Sequence, residues 1–194
     1  MILQPRDLGL LRALSVSVDL LLVTQVAKWW KTDVANTAKR MRTLAKFGRL
    51  DLRSFPVRVQ TTDLVLFRQW NVGEPFPQDH QKVSYASQKR HNSLPIRRMQ
   101  AVCLPGVEIK NASHSVGVSE IFCRFEWKSD FVGERSYPPA LHGHKVKVPD
   151  ALVCHEGDPM RPKFAVDYIG QYGPKRIRDL SIALCERSLP FRFF

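Results

Sequence analysis

Apolar residues recur at helical spacing in the first quarter of the chain and cluster into short strand-like runs in its last quarter. Pro5 suits a first helical position, and Leu8, Leu11 and Leu14 follow at near-helical spacing, so residues 5–18 read as a helix. Leu21–Trp30 is a second apolar-rich segment, with Thr24 as an N-cap candidate. The run Lys31-Thr32-Asp33 breaks it. A third helix is predicted from about Val34 to Phe47, with Val34, Ala38, Met41 and Ala45 on one face and Gly48 closing it in the left-handed conformation. Arg49–Arg53 and Pro56–Gln60 read as two short strands joined by a turn.

Residues 64–112 are less regular and read as a connector. Leu64–Trp70 suggests a strand, Asn71–Gln78 a Pro/Gly-bearing loop, and Asp79–His91 a polar helix carrying Lys82, Lys89, Arg90 and His91. Arg97 and Arg98 add charge. Ser113–Lys128 reads as a helix capped by Ser113 or Ser115, with Val116, Ile121, Phe122 and Phe125 as its apolar stripe and Glu120 in its middle. Two apolar runs then follow, Ala151–Cys154 and Phe164–Ile169, separated by a polar turn with Gly157 and Pro159: a hairpin of buried strands. A last helix runs from Pro174 to about Arg187, with Ile177, Leu180 and Leu184 inward and Lys175, Arg176 and Arg178 outward. Pro190–Phe194 closes the chain as a strand.

Charge sharpens this picture. The chain has 30 Lys and Arg against 18 Asp and Glu, a net charge of +12, which points to a polyanionic partner, nucleic acid first. The four cysteines (Cys103, Cys123, Cys154 and Cys185) are widely spaced in apolar stretches, a pattern that signals neither a zinc site nor a disulfide framework. Reduced thiols and no signal peptide fit the cytoplasm. Leu20–Val23 is too short to span a membrane, so no membrane partner is expected.

The polar face of the third helix carries Asn36, Lys39, Arg40 and Thr43, with Lys46 beside them. These side chains suit phosphates and base edges of double-stranded DNA. Three helices, a tight break before the third and a following strand pair make a winged helix-turn-helix, with Arg53 and Arg58 in the wing. Trp29 and Trp30 end the second helix, one in the core and the other near the DNA backbone or the connector.

In the last quarter, Asp150 opens the first strand of the hairpin behind Pro149, and Asp167 interrupts the second. A carboxylate within a buried strand is costly unless it is paired, hydrogen-bonded or bound to a cation. Two on neighbouring strands suggest a divalent-metal site of nuclease type, or the remains of one. The competing reading has Asp150 cap a strand or turn and Asp167 pair with a buried arginine or His114. His114 itself reads as a helix-start cap or hydrogen-bonded structural residue, with a phosphate or metal contact as the alternative. His142 and His144, with His155, form a weak metal pattern that reads better as a basic loop.

The order of these pieces, with Pro149-Asp150 before one strand and Asp167 inside the next, resembles the PD-(D/E)XK nuclease-like fold. Together with the front domain, the chain resembles the replication-relaxation family of plasmid- and mobile-element proteins. The pieces that carry the likeness are Thr24–Ala27, Arg40–Leu44, Trp70–Pro75, Ser113–Val118, Val148–Ala151, Val166–Gly170, Tyr172 and Leu189–Phe191. The resemblance implies an α+β chain: a winged helix-turn-helix over residues 1–63, a connector over 64–112 and an αβββαβ PD-(D/E)XK-like core over 113–194.

It also implies a catalytic set of Asp150, Asp167 and Glu120, with Mg²⁺ on the two aspartates. The family's lysine would stand at position 169, which is Ile169; Lys175 at the start of the last helix, Arg176 or Gln171 are the stand-ins. The implied function is DNA binding in replication, relaxation or their regulation, with replication or relaxase proteins as partners and a degenerate nuclease domain. The rival readings are a Mg²⁺-dependent endonuclease or nickase and a homodimeric transcriptional regulator on paired half-sites.

Overall fold

The structure is a computed structural model that describes residues 1–60, 63–124, 130–138 and 147–194. The expectations for His142, His144 and Phe125 lie outside the described residues. In chain order the elements are α1 (Pro5–Val16), β1 (Leu20–Leu22), α2 (Val23–Trp30), α3 (Val34–Lys46), β2 (Asp51–Arg58), β3 (Arg68–Trp70), α4 (His80–Ser93), β4 (Ile96–Cys103), α5 (Ala112–Arg124) and β5 (Phe131–Gly133). They continue with β6 (Ala151–Cys154), β7 (Pro162–Asp167), α6 (Pro174–Glu186) and β8 (Phe191–Phe193). The chain is α+β, as its sequence pattern predicts. Among the described residues no helix is long and apolar enough to cross a membrane.

Two compact units form, and their limits cut across the expected boundaries at 63 and 112. The first comprises Met1–Val59 and Pro95–Glu126; the second comprises Gln60–Leu94 and Trp127–Phe194. Both the supposed connector and the helix expected to open the last domain are therefore reassigned. Residues 64–94 of the connector, including α4, belong to the second unit; β4 and α5 belong to the first.

In the first unit a three-stranded antiparallel sheet has the order β1-β4-β2. One face buries Leu20, Leu22, Val57, Ala101 and Cys103 against Val116 of α5. Alternation along the strands turns Leu21 and Val102 to the opposite face, and both are fully buried. The expected two-strand wing is instead one continuous strand, β2, whose partner β4 lies beyond an insertion of residues 60–94. Pro56 suggests a turn in the sequence. It is accommodated because β2 is an edge strand, where a missing N–H breaks no ladder.

The second unit has a five-stranded sheet ordered β3-β8-β7-β6-β5. β5, β6 and β7 form an antiparallel meander, α6 crosses over, and β8 pairs parallel to β7. Phe191 and Phe193 are fully buried at the centre, with Trp70 stacked on Phe191 at 5.7 Å. Helix α4 packs against α6. The inward set Ile177, Leu180 and Leu184 of α6 is buried as its periodicity predicts.

Candidate functional site

Two places concentrate charge that the fold does not dictate. The first is α3. Asp33 caps it by accepting the Asn36 amide at 2.8 Å. Gly48 follows the helix at φ +66°, the left-handed conformation the sequence anticipates. The buried stripe is Thr37, Met41 and Leu44, whereas Val34 is 48% exposed. The helix is thus rotated from the orientation its Val34–Ala38–Met41–Ala45 spacing suggests. The Thr37 hydroxyl satisfies itself on the Asp33 carbonyl at 2.9 Å and can therefore face inward without penalty.

That rotation re-sorts the polar face. Asn36, Lys39 and Lys46 are exposed, as expected, and Arg42, which the sequence reading left out, joins them. Spacing of 36, 39, 42/43 and 46 follows one helix face. Thr43 is half-buried and donates its hydroxyl to the Lys39 carbonyl at 3.0 Å. Arg40 is turned away. It forms a two-point ion pair with the fully buried Asp7 of α1 (Nε to Oδ1 3.1 Å) and donates to the Ile2 carbonyl. Burial by itself raises the Asp7 pKa, but the Arg40 guanidinium and the Gln4 amide outweigh it and hold the carboxyl below its usual range. Arg40 is therefore a brace between helices, not a member of the outward face.

The strand pair β2–β4 adds cations near the end at which residues 60–94 lead into the second unit. Arg97 and Arg98 of β4 are exposed, opposite Val57 and Pro56. Arg58 is half-buried at the last pair, and its amide donates to Ser113 Oγ. Arg53 is committed within the fold: it pairs with Asp51 and donates to the Val107 carbonyl at 3.1 Å. Trp29 packs edge-on against Phe122, and Trp30 carries the Arg6 guanidinium at 5.0 Å, so both tryptophans serve packing. Asn111 accepts the His114 amide at the start of α5, where the sequence suggests Ser113 or Ser115 as cap.

The second place is the β6–β7 end in the other unit. Antiparallel register sets Ala151 opposite Val166, which brings Asp150 and Asp167 together as expected. Each carboxylate accepts a backbone amide from the other strand: Asp150 N–H donates to Asp167 Oδ2 at 3.1 Å, and Tyr168 N–H donates to Asp150 Oδ2 at 2.8 Å. Asp167 is 1% exposed, and its Oδ1 is buried without a well-formed hydrogen bond among the described residues. Burial first, and the neighbouring Asp150 charge second, push the Asp167 pKa well above the carboxylate range; the Asp150 amide, Arg176 and Tyr172 oppose this only partly.

Tyrosines enclose the pair. Tyr137 donates to the Pro149 carbonyl at 3.1 Å, and its pKa is raised by burial and by both aspartates. Tyr172 is raised by burial and then by Asp167. Arg176 lies 3.7 Å over the Tyr172 ring and donates to its hydroxyl at 2.8 Å. Tyr172 is among the pieces of the resemblance, without a role; Tyr137 is not singled out by the sequence, and the fold gathers both here.

The other implied catalytic residues have surroundings of their own. Glu120 lies in the first unit, where it accepts from Gln25 at 3.0 Å and from Arg124 at 2.7 Å. Helix α4, which packs beside α6 in the carboxylates' own unit, contains no acidic residue. Ile169 is fully buried and donates its amide to the Phe194 carbonyl. Lys175 and Gln171 are exposed. Among the described residues no group of three or more His, Cys, Asp or Glu forms a metal cage. Two adjacent carboxylates supply hard oxygen atoms of the kind Mg²⁺ takes, but the position the resemblance gives to the lysine, Ile169, supplies no cation. The charge conflict they hold is one that a proton relieves.

Comparison of the chain with protein-family models, with curated proteins and with solved structures finds no match.

Proposed function

We propose that the protein binds double-stranded DNA by laying α3 in the major groove. Asn36, Lys39, Arg42 and Lys46 meet phosphates and base edges, and the exposed Arg97 and Arg98 of β4 hold the backbone as a wing. The observation that carries this is α3 itself: thirteen residues without an acid, with Lys39, Arg42 and Lys46 exposed and outside any ion pair among the described residues. The sheet order β1-β4-β2 and the three-residue break between α2 and α3 support a winged helix-turn-helix. Charge supports it too, since the first unit has 15 Lys and Arg against 7 Asp and Glu.

The second unit is read as a nuclease-like fold without cleavage. Its β5-β6-β7-α6-β8 order, with β7 and β8 parallel, supports a PD-(D/E)XK-like core in which α4 takes the place first given to α5. With the replication-relaxation resemblance, this gives a cytoplasmic DNA-binding protein of a plasmid or mobile element, acting in replication, relaxation or their regulation. A Mg²⁺-dependent nickase is the second reading, favoured only by the meeting of Asp150 and Asp167.

The test is duplex binding against salt concentration for the full chain and a Lys39→Ala/Lys46→Ala variant. Two lost phosphate contacts lower the slope of log affinity on log salt by about 1.8. An unchanged slope removes α3 from the interface.

A further inference from the structure

Among the described residues one face of helix α4 is exposed, and its chemistry is specific. Val83, Ser84, Ser87 and His91 are buried. Ser84 Oγ and Gln88 Nε2 both donate to the Tyr172 carbonyl, at 2.7 Å and 3.0 Å, and fix the helix against the turn that leads into α6. The outward face then presents Gln81, Lys82, Tyr85 and Lys89. Tyr85 is 70% exposed, the most exposed tyrosine or phenylalanine among the large apolar side chains at the surface.

Spacing decides which groups surround that ring. Positions i−4, i−3, i+3 and i+4 from Tyr85 are Gln81, Lys82, Gln88 and Lys89. The frame is therefore two ammonium groups and the Gln81 amide, Gln88 being turned to the Tyr172 carbonyl, with no carboxylate anywhere on the helix. Lys82 and Lys89 are about 10 Å apart along the axis, with the ring between them. Lys175, also exposed, lies in the first turn of α6, just after the Tyr172 carbonyl that anchors Gln88. Among the described residues Lys82, Lys89 and Lys175 have no ion-pair partner. An exposed aromatic face flanked by cations is poor at binding a duplex, whose bases are stacked away. It suits a strand whose bases are free to stack on the ring while phosphates meet the lysines.

We propose that the α4 face is a contact site for single-stranded nucleic acid, with Tyr85 as a base-stacking platform and Lys82, Lys89 and Lys175 as phosphate contacts. The site stands on the second unit alone and goes beyond the duplex reading of α3. If both readings hold, the protein binds a duplex and a melted strand by different surfaces.

The test uses the full chain with an oligo-dT strand and, separately, a duplex. Wild type binds oligo-dT, and Tyr85→Ala weakens that binding about tenfold while Tyr85→Phe retains it. Lys82→Ala/Lys89→Ala lowers the salt slope on oligo-dT by about 1.4. Duplex binding stays as in wild type for all three, and Lys39→Ala/Lys46→Ala shows the reverse pattern. Absence of oligo-dT binding by wild type overturns the proposal. So does equal binding by Tyr85→Ala, which leaves a non-specific basic surface. Equal loss on both nucleic acids in Tyr85→Ala also overturns it, because one shared surface would then serve both. Failure of the α3 variant to change duplex binding bears on the other reading only. Because Tyr85 is exposed, its replacement leaves the core intact, and an unchanged melting temperature checks this.

Discussion

On α3, three cations point to solvent without ion pairs, and the one that turns inward, Arg40, meets a buried carboxylate. At the β6–β7 end, two carboxylates lie side by side, and the Arg176 guanidinium that partly offsets them sits over a tyrosine. The first place satisfies its buried charge and leaves its exposed charge for a partner. The second buries a carboxyl, Asp167, whose pKa is pushed up by burial and by the Asp150 charge. Charge that a fold neutralises is evidence about folding; charge it leaves over is evidence about binding or protonation. By that criterion Lys39 and Arg40, adjacent in sequence, belong to different arguments.

Replacing Arg40 by Ala gives the largest expected effect. Asp7 would be left fully buried with only the Gln4 amide, so stability falls by roughly 3 kcal/mol. Denaturant unfolding measures this, and Lys39→Ala serves as the exposed neighbour that changes stability little. If the two variants unfold alike, the division between brace and outward face is wrong.

The β6–β7 end predicts a pH dependence whose sign is fixed. A carboxyl with a raised folded-state pKa binds more protons folded than unfolded, so stability is full below the ordinary carboxyl range and falls as pH rises through the folded value. The loss reaches at most about 1.4 kcal/mol per pH unit. Asp167→Asn keeps an acceptor for the Asp150 amide, removes the titration and flattens that part of the curve. A wild-type curve no steeper than that of the variant would mean Asp167 is ionised throughout. Mg²⁺ provides the complementary test: supercoiled plasmid stays intact with wild type in Mg²⁺ or Mn²⁺. Nicking that disappears in Asp150→Ala/Asp167→Ala would make the pair a metal site and the protein an enzyme.

Much of this was legible in the sequence where one element decides its own state. The extents of α3 and α6, the left-handed Gly48 and the meeting of Asp150 with Asp167 follow from caps, periodicity and a short hairpin. What escaped depends on distant partners. β2 looks like two strands because Pro56 reads as a turn until an edge position is known. β4 hides because its first half is polar and its partner is about 40 residues earlier. Glu120 fits a catalytic helix by order alone, yet contacts to Gln25 and Arg124 hold it in another unit. The α3 face was misjudged by a fraction of a turn, with Met41 inward in both readings, since Thr37 could not be known to satisfy its hydroxyl internally. That small angle exchanges Arg40 for Arg42.

The exchange gives the smallest and sharpest prediction. Arg42→Ala removes one exposed guanidinium that has no ion-pair partner among the described residues, so stability should change by no more than about 0.5 kcal/mol. If Arg42 meets a phosphate, the salt slope for duplex binding falls by about 0.9, whatever the duplex sequence. If it reads a base edge instead, affinity falls for one sequence and is kept for others, with a smaller change in slope. Either outcome puts Arg42 on the DNA face in the place the sequence gives to Arg40. A variant with wild-type affinity, slope and specificity would return the question to the orientation of α3. The brace between Arg40 and Asp7 would then need to open when DNA binds, and that would show as a loss of affinity in Arg40→Ala beyond its loss of stability.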